Sequence, residues 1–274
     1  TMPCAFRKNI PTTRPFKGTH QTHVRMNVNC GRCIYCQSLI KRDWIFRFET
    51  EADNAEPDTC RMLTFTYKDS DFQYRKVLSP KATKRARKKN EQARQRARNL
   101  LHFEDLSRTM NRVNKEDSGK WFAVSEYGSK THRPHFHMLS WHYDPEHIQY
   151  EWEKNFGHVH ITPSSYRQYA YAVNYLDKDE YKEIKEANPL FTGKPQGRRM
   201  SPGIGASLLD DLTEDEIDAF LITGKLEVAL KKGTRLNAPR YYRKKLQDEY
   251  GLTEEQRDKI TADTLTRANK DVAQ

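Results

Sequence analysis

The 274-residue chain carries 48 Lys and Arg against 37 Asp and Glu, a formal net charge of +11 and a pI near 9.3. That balance favours a polyanionic partner, and with only 36% hydrophobic residues the chain has material for one large or two small domains. No stretch approaches the roughly 20 apolar residues of a membrane span, and no secretory pattern opens the sequence, so the expectation is a cytoplasmic protein with no membrane partner.

Residues 1–36 are rich in Pro and Cys and show little periodicity. The five cysteines (4, 30, 33, 36 and 60) are an odd count, unlike a disulfide framework, and fit a reducing compartment. Cys30, Cys33 and Cys36 have C-x-x-C-x-x-C spacing, which suggests structural zinc, but three thiolates leave a tetrahedral site one ligand short. Cys4 is the candidate fourth ligand, with His20 or His23 as substitutes. The alternative is three reduced thiols packed at the start of a helix. That helix is expected over about 37–51, followed by a strand over 61–67. Residues 81–98 carry nine Lys or Arg against one acid, Glu91; such a run reads as a solvated helix face or loop, or as an arm that contacts DNA.

A helix through 100–113 leads to a strand over 121–126, a turn from Gly128 to Pro134, and a strand beginning Arg133-Pro-His-Phe-His137-Met-Leu. Period-2 alternation places His135 and His137 on one face of that strand and Phe136 and Met138 on the other. Hairpin pairing then brings Glu126 opposite the histidines. Two imidazoles and a carboxylate, with positions left for water and phosphate, suit Mg²⁺ or Mn²⁺. Taken alone, an H-x-H is more often a polar edge strand. The second such pair, His158-Val-His160, lacks the apolar continuation and the upstream carboxylate, and is assigned to a neighbouring strand facing DNA.

A helix is expected over 165–178. Tyr169, Ala172, Val173 and Leu176 form its apolar stripe, so Tyr171, Tyr175 and Lys178 project from roughly the opposite side. Core tyrosines belong within the stripe. A phenol has a pKa of about 10 and needs a base or cation to become a nucleophile; Lys178 is the candidate cation. Metal and tyrosine together point to phosphodiester transesterification through a phosphotyrosine. Such an ester retains the energy of the broken bond, and the sequence has no G-x-x-x-x-G-K-[ST] phosphate loop. Strands interleave with helices around a hairpin, which gives an α+β domain with an antiparallel sheet. Residues 206–274 read as polar helices, with a capping box at Thr213-Glu-Asp-Glu216.

Together these residues resemble the HUH endonucleases, specifically the replication initiators of the gokushovirus branch of the Microviridae, small single-stranded DNA phages. Met62-Leu-Thr-Phe-Thr-Tyr67 resembles the family's first motif, Glu126-Tyr-Gly128 with Arg133-Pro-His-Phe-His137 its metal motif, and Tyr171-x-x-x-Tyr175-x-x-Lys178 its paired-tyrosine motif. Cys30 to Cys36 with Trp44, Arg47 and Glu51 is similar to its N-terminal block. Ser201-Pro-Gly-Ile-Gly205 and Pro239-Arg-Tyr-Tyr-Arg-Lys-Lys245 are similar to its C-terminal signatures. The chain departs from the family at Asn174, where lysine is usual, and at Lys178-Asp179, where a doubled lysine is common. The resemblance implies an HUH-type sheet flanked by helices over 61–205, a Cys-rich segment and helix over 1–60 packed on that core, and a helical extension over 206–274. It also implies rolling-circle initiation: single-strand nicking and rejoining of phage DNA at the origin, in its single-stranded and replicative forms, within the host cytoplasm. A host helicase and polymerase would assist. The competing readings are a non-catalytic zinc-containing nucleic-acid-binding protein and a relaxase or transposase of the same superfamily.

Overall fold

The structure, a computed structural model, describes residues 4, 6–11, 25–68, 84–85, 103–128, 134–176, 182, 186, 196–229 and 235–251. Lys178, His20, His23, nearly all of the basic 81–98 run, most of the 128–134 turn and the last twenty residues lie outside them. The chain forms two compact units, one of residues 48–204 and one of residues 1–47 with 205–274.

The 48–204 unit is built on a five-stranded antiparallel sheet. Its strands are β3 (Arg61–Tyr67), β4 (Lys120–Tyr127), β5 (Pro134–Trp141), β6 (Gly157–Pro163) and β7 (Arg198–Met200), in the order β6-β3-β5-β4-β7. Alternation explains each long strand. In β3, Leu63, Phe65 and Tyr67 are buried on one face, while Thr64 and Thr66 are half-buried on the other. In β5, Phe136 and Met138 join the first face and His135 and His137 the second.

Two helices cover the first face. From α2 (Phe103–Val113) come Leu106, Met110 and Val113; from α3 (Pro145–Glu153) come Ile148 and Trp152. Each of these large side chains, removed from water, contributes roughly 1.5–3 kcal/mol. Asp144 caps α3 by accepting from the Glu146 amide at 2.9 Å. Trp152 Nε1 donates to the Thr66 carbonyl at 3.2 Å, tying α3 to β3. Strands β3 and β6 approach closely because Gly157 faces Tyr67; a Cβ there would run into the Thr66 carbonyl.

The second face is covered by α4 (Tyr166–Asn174), through Tyr169, Ala172 and Val173, and by Phe48. The Phe48 ring lies 4.9 Å from Phe122, 5.5 Å from Trp141 and 5.8 Å from Tyr169. Phe48 belongs to α1 (Ile34–Asp53), whose later residue Glu51 accepts from His142 Nε2 at 3.0 Å. His142 holds a left-handed backbone, φ 66°, just past β5.

The other unit contains two short hairpins. One joins β1 (Lys8–Pro11) to β2 (Arg25–Val28), and the other joins β8 (Glu227–Ala229) to β9 (Arg235–Asn237). Helices α5 (Glu214–Thr223) and α6 (Arg240–Glu249) supply Phe220, Tyr242 and Leu246 to a core shared with Phe46, Leu226 and Val228. The capping box expected at Thr213 and Glu216 is present in both directions. Gly205, at φ 72°, sits where a Cβ would strike the Tyr242 hydroxyl and the Arg47 carbonyl.

The α+β expectation holds, with three corrections. The N-terminal segment contains a hairpin despite its lack of periodicity. The C-terminal residues are not purely helical, because β8 and β9 separate α5 from α6. The tyrosine helix is shorter than 165–178: it ends at Asn174, and Tyr175 is its C-cap.

Candidate metal centre and tyrosine pair

Cross-strand pairing assembles the site on the α4 side of the sheet. Glu126 of β4 stands opposite His135 of β5, as hairpin geometry requires, and His137 of β5 stands opposite Thr64 of β3. The two imidazoles are parallel, with ring centroids 6.5 Å apart and an interplanar angle of 6°. His137 Nε2 lies 3.1 Å from Glu126 Oε1, both side chains being largely enclosed. On the other side of the ring, His137 Nδ1 lies 3.0 Å from Thr64 Oγ1. That contact sets the ring's orientation and turns Nε2 toward the carboxylate. An imidazole nitrogen and a carboxylate oxygen at this separation share a cation between them, whether proton or metal. The donor set therefore fits a divalent ion held by Glu126, His135 and His137.

The tyrosines reach the same place from α4. Tyr171 Oη lies 3.4 Å from His137 Nε2 and donates to Glu126 Oε2 at 3.4 Å. Tyr175 donates to Tyr171 Oη at 2.7 Å. Its ring stacks on His137 at 5.8 Å, and the two phenol rings are 5.0 Å apart. Tyr169, Ala172 and Val173 are buried while Tyr171 is 38% exposed, so the two sides of the helix divide as its sequence pattern requires.

Electrostatics follow from this packing. Burial pushes the Glu126 carboxyl up, but the hydrogen bond and charge of His137, with Tyr175 and His135 behind them, outweigh it and hold the group below the ordinary carboxylate range. Burial pushes the Tyr175 phenol well above its usual value, and hydrogen bonds to Glu126 and Tyr171 add to the effect. Tyr175 is thus a protonated donor at rest.

Sequence reasoning missed Thr64. The signal was available, since Thr64 alternates with core residues in β3 and shares the face of the histidines. His158 and His160 lie on β6 opposite Thr66 and Thr64, exposed and on this same face.

A second candidate centre lies in the 1–47/205–274 unit. Cys4, Cys30, Cys33 and Cys36 bring their sulfurs within 4.8 Å of one another, the one such His/Cys/Asp/Glu group among the described residues. Cys33 Sγ is 3.7 Å from Cys4 and 3.5 Å from Cys36, and Cys30 is 3.8 Å from Cys36. A tetrahedron with Zn–S bonds of about 2.3 Å has S···S edges of about 3.8 Å, so the spacing suits a metal such as zinc. Amides of Arg32 and Cys33 donate to Cys30 Sγ and bring its pKa down to about 6, whereas burial pushes Cys36 up to about 12. All five cysteines are free thiols.

No helix among the described residues is long and apolar enough to cross a membrane. No curated protein and no solved structure matches the chain. Residues 60–180, which run from the start of β3 past the end of α4 and carry Glu126, both histidines and both tyrosines, match the model of a family of replication-associated proteins, the ORF2 and gene-2-protein type.

Proposed function

We propose that the chain is a rolling-circle replication initiator, a metal-dependent, sequence-specific endonuclease that nicks single-stranded DNA and rejoins it through a 5′-phosphotyrosine. One observation carries the reading: two phenol oxygens, 2.7 Å apart, converge on a His–Glu pair whose members are 3.1 Å apart. The match of residues 60–180 to a replication-associated family supports the biological setting. The net charge of +11 suits a DNA partner.

A divalent ion, Mg²⁺ or Mn²⁺, would be held by Glu126, His135 and His137, and when bound would polarise a non-bridging oxygen of the scissile phosphate. Thr64 keeps the His137 ring aimed. The attacking tyrosine forms an O–P bond as the P–O3′ bond breaks, leaving a 3′-hydroxyl primer. The Tyr171 proton passes to Glu126 directly. The Tyr175 proton passes to the same carboxylate through the Tyr171 oxygen. Lys178 serves as the cation that stabilises a phenolate. With two nucleophiles, one tyrosine holds the old 5′ end while the other cuts the regenerated origin. The four cysteines hold a structural zinc. The site of action is the cytoplasm of the bacterial host, on phage DNA.

The test is incubation with single-stranded oligonucleotides tiled across the parent replicon, in Mn²⁺, resolved on a denaturing gel. A covalent adduct that disappears with chelator is expected. A salt-sensitive mobility shift with no adduct on any oligonucleotide would leave a binding protein and overturn the enzyme.

A further inference from the structure

A groove of about 660 Å³ opens beside the tyrosine pair, within the range of about 300–1,000 Å³ typical of ligand sites. Its floor is Met62 and Thr64 of β3, and its wall is the side of α4 that carries Tyr166, Arg167, Ala170 and Asn174. His137 and Tyr171 also line it, so the groove is continuous with the reacting oxygens. Beyond β3 the same sheet face passes to β6, where exposed His160 pairs with Thr64.

The lining matches the chemistry of one unpaired nucleotide. Tyr166, the first residue of α4, presents a ring that is 62% exposed. Nothing in the core uses that ring, and an aromatic platform at the mouth of a groove is how single-stranded bases are held without pairing. Met62 and Ala170 offer apolar surface to a base face. Amides at Gln168 and Asn174 carry both donors and acceptors for a base edge. Arg167 is exposed beside Tyr166, at the helix N-terminus, where positive charge and backbone dipole favour a phosphate together. A duplex is too wide for a crease between one helix and one strand. The strand must therefore be single where it passes.

We infer that this groove seats the base of the nucleotide adjoining the scissile phosphate, stacked on Tyr166, with the neighbouring phosphate at Arg167. The inference rests on the nickase reading, and makes Tyr166 and Arg167 determinants of where the cut falls. A base locked beside Tyr171 fixes which phosphate reaches the tyrosines.

The experiment compares wild type with Tyr166→Ala, Tyr166→Phe and Arg167→Gln. Binding to a cleaved oligonucleotide, or to the tightest-bound one if none is cleaved, is measured without divalent metal, and an abasic position is walked across that oligonucleotide. Tyr166 is exposed, so these variants retain the fold. Tyr166→Ala is expected to weaken binding about tenfold, and Tyr166→Phe to leave it near wild type, because the phenyl face still stacks. One abasic position should cost wild type a similar factor and cost Tyr166→Ala nothing further. Arg167→Gln should lower the slope of log K against log salt by about one. Tyr166→Ala binding every oligonucleotide like wild type, or penalties that multiply in full, would overturn the stacking assignment; an unchanged salt slope would overturn the phosphate contact. Adduct formation by wild type in Mn²⁺ is scored in parallel. No adduct there refutes the nickase, whereas adducts with Tyr166→Ala indifferent in binding refute the groove alone.

Discussion

Thr64→Val tests whether the sheet aims the metal ligand. Valine keeps the β-branched shape that suits the strand and removes only the hydroxyl 3.0 Å from His137 Nδ1. A neutral hydrogen bond is worth about 0.5–1.5 kcal/mol net, which alone would shift metal affinity roughly two- to twelvefold. Loss of a partner that orients a metal-bound histidine typically costs about 10–100-fold. The imidazole has further constraints here, since Glu126 lies at 3.1 Å and the Tyr175 ring stacks on it at 5.8 Å. The lower part of that range, about tenfold, is therefore expected. The assay is nicking rate against Mn²⁺ concentration. Half-saturation should rise about tenfold while the rate at saturating metal recovers to near wild type, and thermal stability should hardly move. An unchanged metal dependence, or a rate loss that saturating Mn²⁺ does not recover, would refute the positioning role.

His135→Ala and His137→Ala should each abolish cleavage while DNA binding measured by mobility shift stays largely intact, because the imidazoles serve the metal and phosphate contacts come from Lys and Arg. Tyr171→Phe and Tyr175→Phe should each reduce adduct formation and the double variant should form none; peptide mass spectrometry placing an adduct on any other residue would remove the tyrosine mechanism. Purified protein should carry near-stoichiometric zinc by elemental analysis, removed by chelator with loss of structure around Cys4–Cys36. Uptake of added zinc by stripped protein should weaken as pH falls through about 6, where Cys30 gains its proton, and should release protons at neutral pH from Cys36, whose thiol is protonated below about 12.

Sequence patterns located the sheet well where strands are long. The apolar–polar alternation of residues 61–67 gave both ends of β3, and the parity of His135 and His137 followed from the same rule. The opposition of Glu126 and His135 needed only a hairpin. The hairpins β1–β2 and β8–β9 escaped because strands of three or four residues have no measurable period. Cys4 is 26 residues from Cys30, too far for spacing to rank it against His20 or His23. The end of α4 was misjudged because Leu176 continues the apolar stripe, yet the helix stops two residues earlier. Thr64 was passed over because a threonine in a strand has an ordinary explanation in β propensity; only the register across three strands gives its hydroxyl a purpose.

The strand order has a mechanical consequence. His135 and His137 lie on the middle strand of five, paired on both sides by β3 and β4, so displacing them means breaking two ladders at once. Tyr175, by contrast, sits at the C-cap of a nine-residue helix, past the last of its buried contacts at Val173. Unwinding a single terminal turn would carry that phenol away without disturbing the ligands. A DNA end bound to Tyr175 would therefore ride on the part of the site that moves most cheaply, while Tyr171, a turn nearer the buried stripe, stays with the anchored half. Strand exchange in such an arrangement is a hand-over between a fixed post and a swinging one.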